Sequence, residues 1–275
     1  MTTCSELSLA LGEPLHATAS FARAWVLVEE PAPWGRKAVA EAGLGELEQR
    51  AKALGIRVGL VRRGRERSAT GRRAFLVHCG PGRAFVEEAE AADAAALDDP
   101  TLERLAAGER PGLGAERPEP LYLVCTNGRR DVCCGRAGRD LVRALGPELG
   151  ERLWETSHIG GHRFAPNLVC LPHGLVYGRL DVDSARLVVR AYETGRLELD
   201  HLRGRSSLEP AEQAADVFAR RTTGRVGLED DPASELRVRV ESEPLDPPRP
   251  ESCDGEPKRP LAWRLVSLEP PRHEP

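Results

Sequence analysis

Aromatic residues make up only 4% of this 275-residue chain, and methionine occurs once. Its core must therefore come mostly from Leu, Val and Ala, within a hydrophobic content of 40% and a charged content of 30% that fit an ordinary globular protein. Long apolar runs are missing too. None approaches the roughly 18–20 residues that span a bilayer, so no membrane segment is expected. The first residues, MTTCSELSLALGEP, lack a positive n-region and an apolar h-region, so no signal peptide is expected. A net charge of −4 leaves no basic footprint for nucleic acid. Arginine pairs such as Arg62-Arg63, Arg72-Arg73 and Arg129-Arg130 read as local surface solvation. No solenoid period is visible.

The cysteines are seven, an odd number, irregularly spaced and without a CxxC. That argues against a secreted disulfide framework and for a reducing cytoplasm, where thiolates are free to hold metal. It also disfavours a thioredoxin-type thiol oxidoreductase, because the vicinal Cys133-Cys134 pair forms only a strained disulfide.

The chemistry is concentrated between Cys125 and Gly178. Cys125 and Cys134 are separated by eight residues, and His158 and His162 by three. Loop-borne Cys and His pairs converging from two segments hold zinc or an iron–sulfur cluster. Cys134 is expected at a helix start, whose positive end, with Arg129, Arg130 and Arg136, favours a thiolate. Gly160 and Gly161 permit positive φ and close backbone approach, so both imidazoles can face one site.

The flanking pattern is α/β. Strands are expected at 21–28, 56–61 and 74–77, with helices at 44–54, stopped by Gly55, and at 84–97. The first 20 residues read as irregular, and 62–73 as an Arg/Gly-rich turn. Pro111 to Pro120 reads as a linker, which places a smaller N-terminal α/β domain at 1–115 and a second domain at 116–275. In the second, a strand at 121–124 delivers Cys125, a helix covers 135–149, and strands cover 152–155, 167–171 and 175–180, the last two joined by the Pro172-His173-Gly174 turn. Asp183 is expected to cap a helix ending near Gly195, and Pro210 to open another. Strands at 236–240 and 262–268 flank a Pro-rich segment, 244–260, expected to be mobile. This order is that of a thioredoxin-like domain, with a C-terminal helix and strand extension.

The segment from His158 to Gly178 reads HxxxHxxxPxxxxxPxGxxYG and resembles the CxxxCxxxPxxxxxPxGxxYG pattern of thioredoxin-like [2Fe–2S] ferredoxins, with His for both Cys. CTNGRRDVCCGRAG, WETSHIGGHRFAPN and LPHGLVYGRL, together with PLHATA, EEPAPWG and HLRGRSS, resemble segments of the sucrase/ferredoxin-like family. The resemblance implies a bis-histidinyl, non-Rieske [2Fe–2S] cluster held by Cys125, Cys134, His158 and His162, a cis proline at Pro166, and transfer or sensing of electrons with a redox partner protein. A structural zinc site is the alternative, since Cys₂His₂ suits zinc by ligand type. The family name contains a sucrase, but no pair of carboxylates positioned for glycoside hydrolysis stands out.

Among the remaining residues, Cys133 reads as structural, an alternate ligand or a reactive thiol, and Cys170 as core. Cys79 and Cys253 have no evident partner, and Cys4 reads as a free thiol. Trp34 is expected to be a packing anchor or to line a groove between domains. Arg163 and Arg179 are expected near the cluster, near a docking partner or in a structural role.

Overall fold

The computed structural model describes residues 2–63 and 72–270. Its first half contains α1 (Cys4–Ala10), β1 (Ala24–Glu29), α2 (Ala38–Glu41), α3 (Gly45–Ala53), β2 (Ile56–Arg62), β3 (Arg73–His78), β4 (Phe85–Glu90), α4 (Ala91–Ala95), α5 (Asp99–Ala106) and β5 (Ala115–Glu116). The second half contains β6 (Leu121–Cys125), α6 (Val132–Leu149), β7 (Leu153–Thr156), β8 (Leu168–Leu171), β9 (Leu175–Tyr177), α7 (Val182–Glu193), β10 (Leu202–Arg205) and α8 (Pro210–Thr223). It closes with β11 (Arg237–Pro244), β12 (Arg249–Pro250), β13 (Pro257–Lys258) and β14 (Leu261–Glu269). Among the described residues no helix is long and apolar enough to cross a membrane.

Ten strands form one mixed sheet in the order β10-β9-β8-β6-β7-β2-β1-β3-β4-β5. Strand β6 runs parallel to β7 and antiparallel to β8, and β8 antiparallel to β9. With α6 and α7 this is a thioredoxin-like α/β unit. Strands β2-β1-β3-β4 repeat the same order and the same senses. The two four-stranded sets join edge to edge, β2 antiparallel to β7, with Val61 opposite Thr156 and Arg62 opposite Glu155. Segments before and after residue 115 therefore share a sheet. The stretch 111–120 lies along its edge: β5 pairs with β4, and the buried Glu87 carboxylate accepts the N–H groups of Gly112, Leu113 and Gly114.

Alternation along the strands sorts the core into layers. Ala24, Val26 and Val28 of β1 pack with Leu47 and Ala51 of α3 and Leu102 and Leu105 of α5. Tyr122 and Val124 of β6 pack with Leu141 and Leu145 of α6 and Val188 and Val189 of α7. The opposite faces of both sets meet in one cluster, in which Trp25, Leu27, Phe75, Leu123, Trp154 and Val169 are buried together. Phe75 and Trp154 meet edge to face there, with centroids 5.1 Å apart. The sheet curls to allow this: Ala22 N donates to Ser206 O at 2.7 Å, and Ser206 Oγ donates to Ala22 O at 2.9 Å, so the chain before β1 meets the chain after β10.

Several local expectations are corrected. The Ala- and Glu-rich stretch 84–97 begins as a strand, since residues 85–90 pair with β3, and only Ala91–Ala95 is helical. Pairing with β3 overrides the helix propensity of Ala and Glu there. Residues 4–10 are a helix, closed by a Thr3/Glu6 capping box. Helix α6 starts earlier than expected because Asp131 caps it by accepting from Cys133 N. Asp181, not Asp183, caps α7. The 244–260 segment carries the short β12–β13 ladder, with Arg249 fully buried. Residues 64–71 of the expected Arg/Gly-rich turn lie outside the described residues.

Candidate metal centre

Cys125 ends β6, and Cys134 lies in the first turn of α6. Helix α6 buries Leu141, Leu145 and Leu149 against the sheet. It sits close because Gly138 has no side chain: a Cβ there would overlap Cys125 O. Close seating brings the Cys134 thiol to the Cys125 sulfur. The Cys134 thiol holds Cys125 below its ordinary pKa, aided by the N–H groups of Asn127 and Ile159 and opposed by burial. Cys134 is raised in turn, first by that same contact and then by burial. Both sulfurs are buried.

The histidines stand on the loop between β7 and β8. Cys134 Sγ lies 3.5 Å from His162 Nδ1. The His158 and His162 rings stack with centroids 4.1 Å apart and planes 18° apart. Gly160 and Gly161 make the tight loop, at φ +88 and +73. A Cβ on Gly160 would collide with Ser20, and one on Gly161 with the Arg203 guanidinium. Burial lowers His158 to about 2 and His162 to about 4. Both imidazoles are therefore neutral at pH 7, the form that binds metal.

All four predicted residues meet at this place, but not in the tight knot of a single ion. Among the described residues, the metal-sized group whose ligand atoms all lie within 4.8 Å of one another is a different one: Cys4, Asp131, Cys133 and Cys253. Its thiols are 3.4 to 3.6 Å apart. Cys253, expected to have no partner, and Cys4, expected to be a lone thiol, both belong to it. The Cys133 side chain points into this second group, with its sulfur 3.6 Å from Cys4 Sγ and 3.4 Å from Cys253 Sγ. Cys79 and Cys170 are buried in the core.

Cations crowd the first group. Arg203 is buried and donates to Gly160 O at 3.1 Å, to Asn167 Oδ1 at 2.9 Å and to Thr18 O. Burial lowers it to about 9. Arg57 donates to His158 O at 3.1 Å. Neither was singled out in the sequence; the one available signal for Arg203 was its place within HLRGRSS. Arg163 pairs with Glu13 at 2.7 Å, and Arg179 donates to Ser8 Oγ at 2.8 Å, so both tie the N-terminal segment down. Both also lie over the Phe164 ring. The Ala165–Pro166 bond is cis, as the resemblance implied. Trp34 is buried, donates to Glu30 O at 3.0 Å and lies 4.2 Å under the Arg62 guanidinium, in a cleft shared with residues 126–129.

The sucrase/ferredoxin-like family model matches residues 15–204. The chain belongs to this family. The match spans both four-stranded sets and all four residues of the Cys/His group, while Cys4 and Cys253 fall outside it. No curated protein and no solved structure matches this sucrase/ferredoxin-like chain.

Proposed function

We propose that this chain holds a [2Fe–2S] cluster on Cys125, Cys134, His158 and His162 and serves as an electron-transfer or redox-sensing protein. The observation that carries the reading is the convergence, in a thioredoxin-like unit, of two buried thiol sulfurs at the end of β6 and the start of α6 with two neutral imidazoles on the β7–β8 loop, His162 buried and His158 half-buried. Among the described residues these four donors do not form a group whose ligand atoms all lie within 4.8 Å of one another, which supports a two-metal cluster over one zinc ion. A tetrahedral zinc with bonds of about 2.0–2.3 Å needs all ligand atoms within about 3.8 Å of one another. When bound, a [2Fe–2S] cluster takes up and releases one electron.

The surrounding residues suit that role. Burial of Cys125 and Cys134 keeps water from the sulfurs. Arg203 and Arg57 set positive charge beside a site that gains negative charge on reduction. His158 is the more exposed histidine and lines a cavity of about 400 Å³ with Arg36, Lys37, Arg57 and Arg130. That basic mouth suits a redox partner with an acidic surface.

The test is anaerobic purification from iron-replete cells. About two irons and two acid-labile sulfides per chain are expected, with the red-brown absorption and reduced-state EPR signal of such clusters. A colourless protein whose four residues hold one zinc would overturn the proposal.

A further inference from the structure

We propose that Cys4, Cys133, Cys253 and Asp131 form a second, independent metal site, built for a thiophilic tetrahedral divalent ion, namely zinc. It shares no ligand with the cluster proposed above and does not depend on that reading.

The geometry carries it. Cys4 Sγ lies 3.6 Å from Cys133 Sγ and from Cys253 Sγ, and Cys133 Sγ lies 3.4 Å from Cys253 Sγ. A regular tetrahedron with zinc–sulfur bonds of about 2.3 Å has sulfur–sulfur edges of about 3.8 Å. The three sulfurs thus already stand at nearly the spacing of one face of such a site. A disulfide would need about 2.05 Å and would leave the third thiol unpaired. Asp131 supplies the fourth corner. One of its carboxylate oxygens lies 3.5 Å from Cys253 Sγ, and the other 3.8 Å from Cys4 Sγ.

Asp131 is also held in place. Its oxygens accept the backbone N–H groups of Cys133 and Cys253, each at 2.9 Å. A carboxylate has roughly four acceptor positions, so two such bonds leave lone pairs for a metal. Hydrogen bonds of this kind orient ligating carboxylates.

The ligands come from three remote parts of the chain: the start of α1, the start of α6, and the turn between β12 and β13. The outer two lie beyond the family match at 15–204. Bound zinc would staple both ends of this chain to the α6 turn that carries Cys134. Binding requires the thiols to lose their protons to solvent, so it weakens as pH falls.

The full chain, purified anaerobically from cells supplied with iron and zinc, should carry about one zinc per chain beside its iron. Zinc X-ray absorption, which is blind to iron, should show three sulfurs near about 2.3 Å and one light ligand near about 2.0 Å. Cys253→Ser and Cys4→Ser should each lose most of the zinc and keep the iron. Cys253 is exposed, so its replacement leaves the core intact. In the parent, Cys253 should resist alkylation until a zinc chelator is added. The proposal is overturned if the zinc-supplied protein carries no zinc and its three thiols alkylate freely. It is overturned equally if two of them are found as a disulfide, if zinc persists in Cys253→Ser, or if that variant loses iron instead.

Discussion

Cys133 and Cys134 are chain neighbours whose thiols look in different directions: Cys134 Sγ lies 3.5 Å from His162 Nδ1, and Cys133 Sγ lies 3.4 Å from Cys253 Sγ. A helix turns about 100° per residue, so adjacent positions in the first turn of α6 face different neighbours. One capped turn can therefore serve two sites. Cys134→Ser is expected to abolish iron binding, and Cys133→Ser to keep the iron and lose the zinc. Metal analysis of both proteins, with visible spectra, checks this. Equal loss of iron from both would show that the two thiols are not divided in this way.

The loop between the histidines can be tested with matched glycines. Gly161 and Gly195 both sit at φ +73. A Cβ at Gly195 meets nothing within 4 Å, whereas one at Gly161 meets Arg203. Gly195→Ala should cost only the left-handed backbone penalty of about 1–2 kcal/mol and leave the iron content unchanged. Gly161→Ala should cost that and more, because Arg203 must leave Thr18, Gly160 and Asn167. It should also lower iron occupancy. Urea unfolding and iron analysis read the two effects. Equal behaviour of the two variants would deny Arg203 its part in shaping the loop.

Much of this architecture was legible in the sequence because its causes are local. Residues 121–125, 135–149 and 167–177 carry strand, helix and turn signals at the right spacing, and the Cys125/Cys134 and His158/His162 pairs lie next to them. What was not legible depends on contacts distant in the chain. Residues 85–90 read as helix by composition but are held as a strand by β3. The β2–β7 pairing that joins the two strand sets rests on residues 61–62 meeting 155–156. Cys4 and Cys253 carry no local sign of each other, since they stand 249 positions apart and only folding brings their sulfurs to 3.6 Å. Arg203 sits in a short strand whose sequence, LRGR, reads as surface, yet its side chain is buried.

The iron-free protein should lose stability in acid through its histidines. His162 is lowered to about 4 by burial, against about 6.5 in an unfolded chain. Between those values the unfolded chain binds more protons than the folded one, so stability rises with pH and falls as pH drops below about 6.5. The slope contributed by one such group is at most about 1.4 kcal/mol per pH unit. His158, lowered to about 2, adds to it in the same direction. His162→Asn should flatten the profile between pH 6.5 and 4. Urea midpoints measured across that range decide: a parent midpoint that does not move would mean that the rings are not buried in neutral form.

The remaining prediction concerns the potential of the proposed cluster, which histidine and arginine should tune separately. Two thiolates and two neutral imidazoles leave the oxidised site with less negative charge than four thiolates would. Reduction is then easier, and the midpoint should lie well above the roughly −400 mV of plant-type all-Cys clusters. Each imidazole keeps a second ring nitrogen that can lose a proton from the oxidised state, so the potential should fall as pH rises, by at most about 59 mV per unit for one electron and one proton. His162→Cys should lower the potential and flatten that slope. Arg203 acts differently. Its buried guanidinium stabilises the added negative charge but exchanges no proton near neutrality, being lowered only to about 9. Arg203→Met should therefore lower the potential by several tens of millivolts, as a loss of about 1 kcal/mol requires, while leaving the slope below pH 8 unchanged. Spectroelectrochemical titration of the parent and both variants across pH separates the two contributions. A pH-independent parent potential, unmoved in His162→Cys, would falsify histidine ligation, and an unchanged potential in Arg203→Met would remove the arginine from the tuning.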